Sequence, residues 1–151
     1  MTHINFYVSK DVGLENRLAI AYRLTNMALK NKLSVHIHTD NETTSKLIDD
    51  QLWNTDTTSF IPHSILSAEN SKSESPDNHS KPLEKVTISH DYEPMSECDY
   101  LINLSNTRPI FFSRFNKVAE IIDATEEILS AGRKRYAFYR DRGYTLQYHQ
   151  L

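Results

Sequence analysis

The sequence predicts an α/β fold of three layers, and two observations predict it. Short runs rich in β-branched and aromatic residues alternate along the chain with stretches whose apolar residues recur at three- and four-residue steps. The length, 151 residues, suits one domain with one core, spanning 1–151. Strands separated by helices pair in parallel, because a helical crossover returns the chain in the same direction. The expected result is a Rossmann-like sheet with helices on both faces.

Ile4-Asn5-Phe6-Tyr7-Val8 reads as a buried first strand. Leu14, Leu18, Ala21, Leu24 and Ala28 form the stripe of an amphipathic helix running from Gly13 to Lys30, which Asn31 can end. Leu33 to His38 alternates apolar and polar residues, predicting a second strand that completes a right-handed βαβ unit with the first. Asp40 or Asn41 then caps a helix that carries Leu47, Ile48 and Leu52 and reaches Trp53. Thr55 to Ser59 interrupt it.

Phe60 to His63 is extended and belongs at a sheet edge, since Pro62 disfavours helix for Ile61 and has no N–H to give a ladder. The polar composition of 67–82 cannot offset the entropy of ordering a backbone, which predicts a mobile loop. Val86 to Ile88, Tyr100 to Leu104 and Val118 to Ile122 read as further strands, with a turn and a short helix over 108–112. Asp123 followed by Glu126 has the spacing of a capping box. A last helix therefore starts at Asp123, with Glu126 and Glu127 in its first turn and Gly143 just past its end.

Several chemistries lack their hardware. The turn after the first strand is Ser9-Lys10-Asp11-Val12-Gly13 and the chain has three glycines, so neither a GxGxxG loop nor a Walker lysine is present and no nucleotide or other cofactor is expected. His36 and His38 share one strand face, but two imidazoles leave the remaining ligands of a metal site unaccounted for, so they read as polar strand residues. His63 and Ser64 point to opposite sides of an extended segment and make no nucleophile–base pair. Cys98 is the single cysteine, which excludes an internal disulfide or a cysteine-based zinc cluster and predicts a buried thiol. No catalytic residue is assigned. With no membrane-length apolar run and no signal-peptide layout after Met1, a cytoplasmic protein is expected.

Net charge is -3 at pI ≈ 6.1, which argues against binding nucleic acid by bulk phosphate neutralisation. The cations are unevenly placed. Arg133, Lys134, Arg135, Arg140 and Arg142 fall within ten residues against the single anion Asp141. Arg133, Tyr136 and Arg140 lie at i, i+3 and i+7 and share one helix face, two guanidiniums flanking an aromatic. That grouping suits an acidic peptide ending in Phe, because Arg forks onto carboxylates while Tyr walls a pocket. The plainer explanation is the helix macrodipole, which favours C-terminal cations by about 0.3–1 kcal/mol each. Five cations exceed that need. A direct single-strand binder would instead use the same cations with Tyr136, Phe138, Tyr139 and Tyr144 as stacking platforms. A second surface is the segment around Trp53, Phe60, Ile61 and Pro62, where a Trp and a Phe beside a rigid Pro can anchor a partner or equally sit in the core.

The stretch from Leu52-Trp53 to Phe60-Ile61-Pro62-His63, taken with Arg133-Lys134-Arg135-Tyr136-Ala137-Phe138-Tyr139-Arg140-Asp141-Arg142-Gly143-Tyr144, resembles the paired signatures of the chi subunit family of the bacterial DNA polymerase III clamp-loader complex. The resemblance implies a Rossmann-like fold without a nucleotide site and a non-enzymatic adaptor in DNA replication. It implies two partners: the psi subunit of the clamp loader, and the acidic, Phe-terminated tail of single-stranded DNA-binding protein (SSB). DNA would be reached only indirectly, and a helicase can share the psi surface. On this chain the SSB-tail site would be Arg133, Tyr136 and Arg140, with Lys134 in support, and the psi or helicase interface would be Trp53, Phe60, Ile61 and Pro62. Where the family pattern carries Lys, this chain has Leu129 and Ala137. Lys134 and Arg135 lie about 100° and 200° around the helix from Arg133 and do not directly replace those charges.

Overall fold

In the computed structural model, residues 2–54, 63–65, 86–90 and 98–150 are described, with the backbone alone over 49–54, 63–65 and at Cys98. Seven strands form one sheet: β1 (His3–Val8), β2 (Val35–His38), β3 (His63–Ile65), β4 (Val86–Ser89), β5 (Cys98–Asn103), β6 (Phe115–Ile122) and β7 (Thr145–Gln150). Their spatial order is β3-β4-β2-β5-β6-β1-β7, and every pair is parallel. The helices are α1 (Leu14–Lys30), α2 (Glu42–Asn54) and α3 (Glu126–Asp141), with a short 3-10 helix at Phe112–Arg114.

Two apolar clusters, one on each side of the sheet, make the three layers. Leu18, Ala21, Leu24 and Ala28 of α1 and Ile48 of α2 pack on Val35, Ile37, Ile88 and Ile102. On the other face, Tyr139 of α3 and Phe111, Phe112 and Phe115 pack on Ile4, Phe6, Leu101, Val118 and Ile122. Thr25 lies in the first cluster at no cost in lost hydrogen bonding, since its hydroxyl donates to the Ala21 carbonyl at 2.7 Å.

The ends of α1 and α3 use the same closure. Past Asn31, the Leu33 N–H bonds the Ala28 carbonyl and the Lys32 N–H bonds that of Leu29, a Schellman motif with Lys32 in the left-handed region at φ 61. Past Arg142, Tyr144 bonds Tyr139 and Gly143 bonds Arg140 in the same way, with Gly143 at φ 82. Asn41 caps α2 by accepting from the Thr44 N–H at 2.8 Å.

Two expectations are corrected, and one strand is added. The first and second strands share a sheet but do not pair: β5 and β6 lie between β1 and β2, so no simple βαβ unit is made of them. The last helix starts at Glu126 with Thr125 at its N-cap, not at Asp123. The Asp123 carboxylate instead accepts from the Gly13 N–H at 3.2 Å, the Arg17 Nε at 3.1 Å and the Thr125 N–H at 2.7 Å, tying β6 to the start of α1. A three-donor site built from two elements outcompetes a local capping box. β7 was not anticipated, because its residues Thr, Leu, Gln, Tyr, His and Gln carry little apolar signal. His36, read as a polar strand residue, is one, and it is fully buried on a covered face of the sheet. The expected mobile loop at 67–82, Phe60, Ile61 and Pro62, and the side chains of Trp53 and Cys98 lie outside the described residues. His63, the first residue of β3, is at a sheet edge.

His36 is satisfied inside the sheet, its Nδ1 2.6 Å from Thr87 Oγ1 and its Nε2 3.0 Å from Ser89 Oγ. Burial, with His38 acting in the same direction, lowers its pKa from 6.5 to about 3. A histidine kept neutral in the fold but titrating near 6.5 when unfolded contributes stability that is complete above that value. It is lost at about 1.4 kcal/mol per unit as the pH falls below it, until the folded group itself titrates. Between about pH 7.5 and about pH 5.5, urea denaturation of the wild type should therefore show a loss about 1.4 kcal/mol larger than that of His36→Gln. Equal losses would mean that His36 is protonated in the fold.

Candidate functional site

A groove of about 370 Å³ runs between α3 and the β6-β1-β7 end of the sheet. Its floor is Phe6 and Val8 of β1 with Ile122 of β6, its outer wall is Tyr148 of the edge strand β7, and its helix side includes Leu129, Gly132, Arg133, Tyr136, Ala137 and Arg140. The period of 3.6 puts Leu129, Arg133, Tyr136 and Arg140 on one flank of α3 while Arg135 and Tyr139 turn into the core. Tyr136 is steadied by an edge-to-face contact with Phe6 at 5.2 Å between centroids. The groove is apolar inside with guanidiniums at its rim, and no carboxylate lines it. Leu129 and Ala137 are both part of its wall and add to its apolar lining.

The five clustered cations separate into four environments. Arg133 and Arg140 reach the groove. Among the described residues Arg133 has no ion-pair partner, and Arg140 meets only Asp141, at 3.4 Å and on the open surface, where solvent screens the pair. Lys134 faces a different depression, shared with Asn106, Glu126, Glu127 and Ser130. Arg142 lies over Phe138, its guanidinium carbon 4.9 Å from the ring centroid, and Arg108 covers the same ring at 3.6 Å. Arg135 is buried against Glu120, Nε to Oε1 3.0 Å. Of the five cations that read as a basic surface in the sequence, Arg135 alone is internal structure, and the other four are exposed.

The Arg135–Glu120 pair anchors a network. The Glu120 carboxylate also accepts from Tyr139 OH at 2.6 Å and from Asn103 Nδ2 at 2.8 Å, and Arg135 Nη1 donates to the Asn106 carbonyl at 2.8 Å. α3 is thereby locked to β6 and to the loop after β5, which fixes the angle at which its other flank meets the sheet. The sequence carries a signal for this: Glu120 is a lone charge in the apolar run Val118-Ala119-Glu120-Ile121-Ile122, and such a residue needs a buried partner.

At the carboxyl ends of β6 and β1, where folds of this type bind phosphate at the first helix, the Asp123 carboxylate takes the Gly13 N–H and the Arg17 Nε. Among the described residues no cluster of three metal-ligating side chains occurs, and no helix is long and apolar enough to cross a membrane. The Trp53 backbone lies in the last turn of α2.

Gly132, in the groove lining, lets α3 approach Ile122 of β6 closely. A glycine inside a helix costs about 0.8–1.0 kcal/mol relative to Ala, so its presence signals close approach. A Cβ at 132 would collide with Ile122 Cδ1 and lie 3.1 Å from Cγ1. Overpacking costs about 1–3 kcal/mol, so Gly132→Ala should be net destabilising by about 1 kcal/mol in thermal or urea denaturation despite its better propensity. Ile122→Val removes Cδ1 and alone should cost about 1 kcal/mol, yet added to Gly132→Ala it should cost nothing further. Simple additivity of the two would show that this contact does not set the helix position.

Comparison with known proteins agrees with this architecture. Residues 1–147 match the family described as DNA polymerase III chi subunit, HolC. The DNA polymerase III subunit chi of Pseudomonas aeruginosa (strain PAO1) is 32% identical over 151 residues, which is 100% of this chain and 98% of that protein. Among solved structures, the chain is similar to the C-terminal domain of the DEAD-box protein Dbp5, with a TM-score of 0.68 at 11% identity over 98% of this chain and 90% of that one. It is also similar to T4 UvsW, with a TM-score of 0.61 at 10% identity, 99% of this chain spanning 41% of that protein. The C-terminal domain of a Sulfolobus solfataricus SWI2/SNF2 ATPase gives 0.57 at 12% identity over 93% of this chain and 87% of that one. At these identities the structural likenesses show the fold alone. A full-length match in sequence, on a parallel sheet with helices on both faces, leads to one conclusion: this chain belongs to the DNA polymerase III chi subunit family, accessory components of the replication machinery.

Proposed function

We propose that this chain is a non-catalytic adaptor that joins the clamp loader, through psi, to the acidic C-terminal tail of SSB. One observation carries the reading: an apolar groove holds two exposed guanidiniums at its rim and no carboxylate in its lining. A terminal Phe ring fits beside Tyr136 and Phe6, while its carboxylate and the preceding acidic side chains meet Arg133 and Arg140. Trp53, Phe60, Ile61 and Pro62 are assigned to psi, or to a helicase that competes with it, on the resemblance and on the anchoring chemistry of a Trp and a Phe beside Pro. Joining the two partners raises the local concentration of the polymerase machinery on coated single strands by linkage.

The alternative, direct binding of single strands along the whole helix, is disfavoured by the burial of Tyr139 and by the two guanidiniums already over Phe138. Titration with a labelled peptide copying the SSB C-terminus, beside the same peptide lacking its last Phe, tests the proposal. Binding should need the Phe and weaken with salt, as screened Arg–carboxylate pairs do. Arg133→Ala and Arg140→Ala should each lower affinity about tenfold or more, the cost of losing charge-assisted hydrogen bonds of about 1.5–3 kcal/mol. Lys134→Ala, on the other depression, should change it little. Unchanged affinity in both Arg variants would remove the groove from consideration, and tight binding of an oligonucleotide without any partner would favour the alternative.

A further inference from the structure

The outer wall of the groove is also a sheet edge. Among the described residues β7 pairs with β1 alone, so one side of Thr145–Gln150 offers N–H and C=O groups to no other strand. Such edges are normally blunted by a charge, a proline, a bulge or extreme shortness. β7 has none of these: its six residues are Thr, Leu, Gln, Tyr, His and Gln, paired in unbroken register from His3↔Thr145 to Val8↔Gln150. The opposite edge, β3, is only three residues long. Tyr148, on the unblunted edge, is 57% exposed, and its register partner Phe6 is in the groove floor. The edge and the groove are therefore one continuous surface.

We infer that a peptide seated in the groove extends along β7 as an eighth strand of the sheet, with main-chain hydrogen bonds to the open edge of β7 supplying affinity beyond the terminal residue. This rests on the groove reading above and says how its ligand runs. The added strand is an extended acidic segment. Neither β7 nor the groove carries a carboxylate to repel one, and Arg133 and Arg140 stand at the groove to attract it. Alternate side chains of that strand fall beside Tyr148 on the groove face and beside Gln147 and His149 on the other, the period-2 reading that strand addition uses for specificity.

The test uses the full chain and three probes: a short Asp-rich peptide ending in Phe, the Asp-Phe dipeptide, and the longer peptide with alternate backbone nitrogens methylated upstream of its last two residues. Amide hydrogen exchange of β7 is followed by NMR. The long peptide should protect alternate β7 amides at least tenfold and bind at least tenfold more tightly than the dipeptide. The methylated peptide should lose that advantage in one of its two registers. The inference is overturned, with the groove reading intact, if the long peptide binds in an Arg140-dependent manner but leaves β7 exchange unchanged and tolerates methylation in both registers. It is also overturned if β7 amides are protected without peptide in proportion to protein concentration, because a second copy then holds the edge. If no probe binds, the groove reading fails and this inference fails with it.

Discussion

Replacing Arg135 with Ala should cost about 3–5 kcal/mol of folding stability, the amount typical of stranding one member of a buried ion pair. Glu120 is fully buried, and burial pushes its carboxyl up while Arg135, Tyr139 and Asn103 pull it back. Without the guanidinium, burial dominates further and Glu120 enters the fold as a neutral acid. A carboxyl whose folded pKa is raised favours the fold below its unfolded value, and that contribution is lost as the pH rises through the folded pKa. The deficit of Arg135→Ala relative to wild type should accordingly be larger at about pH 7 than at about pH 5. A volume-matched apolar set, Glu120→Leu with Arg135→Met and Tyr139→Phe, should cost much less, since it removes the desolvated charges together. Urea denaturation of both variants decides the matter; a loss of under about 1 kcal/mol for Arg135→Ala would mean that the pair is solvated in the fold.

Asp123→Ala should cost about 1–2 kcal/mol, because it leaves three partly buried donors at the end of the sheet without their acceptor. Burial opposes ionisation of this carboxyl, but the bonds from Thr125 and Gly13 and the Arg17 guanidinium outweigh it and hold the pKa below the usual carboxylate value. A depressed folded pKa contributes stability above the unfolded value, and that contribution disappears as the pH falls through the folded one. The gap between wild type and Asp123→Ala should therefore be full at neutral pH and narrow below about pH 4. A gap independent of pH over that range would point to packing rather than charge. The start of α1 should also loosen selectively, visible as faster amide exchange near Gly13, since that N–H loses its acceptor.

The groove and the phosphate position illustrate opposite uses of one scaffold. In nucleotide-binding sheets the switch between helices on the two faces leaves a crevice for a ligand. Here the chain places its own carboxylate at that crevice, on the Gly13 N–H and Arg17, and the groove lies further along the sheet, where α3 stands over β1 and its neighbours. Gly132 at Ile122 and the lock between Arg135 and Glu120 set that stance.

Much of this was legible in the sequence by itself. β1, α1, β4, β5 and the Schellman end at Gly143 follow from hydrophobic period and glycine placement, which depend on near neighbours in the chain. The spacing of Arg133, Tyr136 and Arg140 put them on one helix flank, and the absence of a glycine-rich first turn excluded a phosphate loop. The tertiary structure alone decided the strand order, since β1 and β2 are parallel whether or not two strands lie between them. It decided β7, whose neutral residues become a strand only because β1 offers an edge. It decided the fates of Asp123 and of the five cations. A capping box and a macrodipole are local preferences of about 1 kcal/mol, whereas a buried carboxylate left without its partner costs several, and which partner it finds depends on segments far apart in the chain.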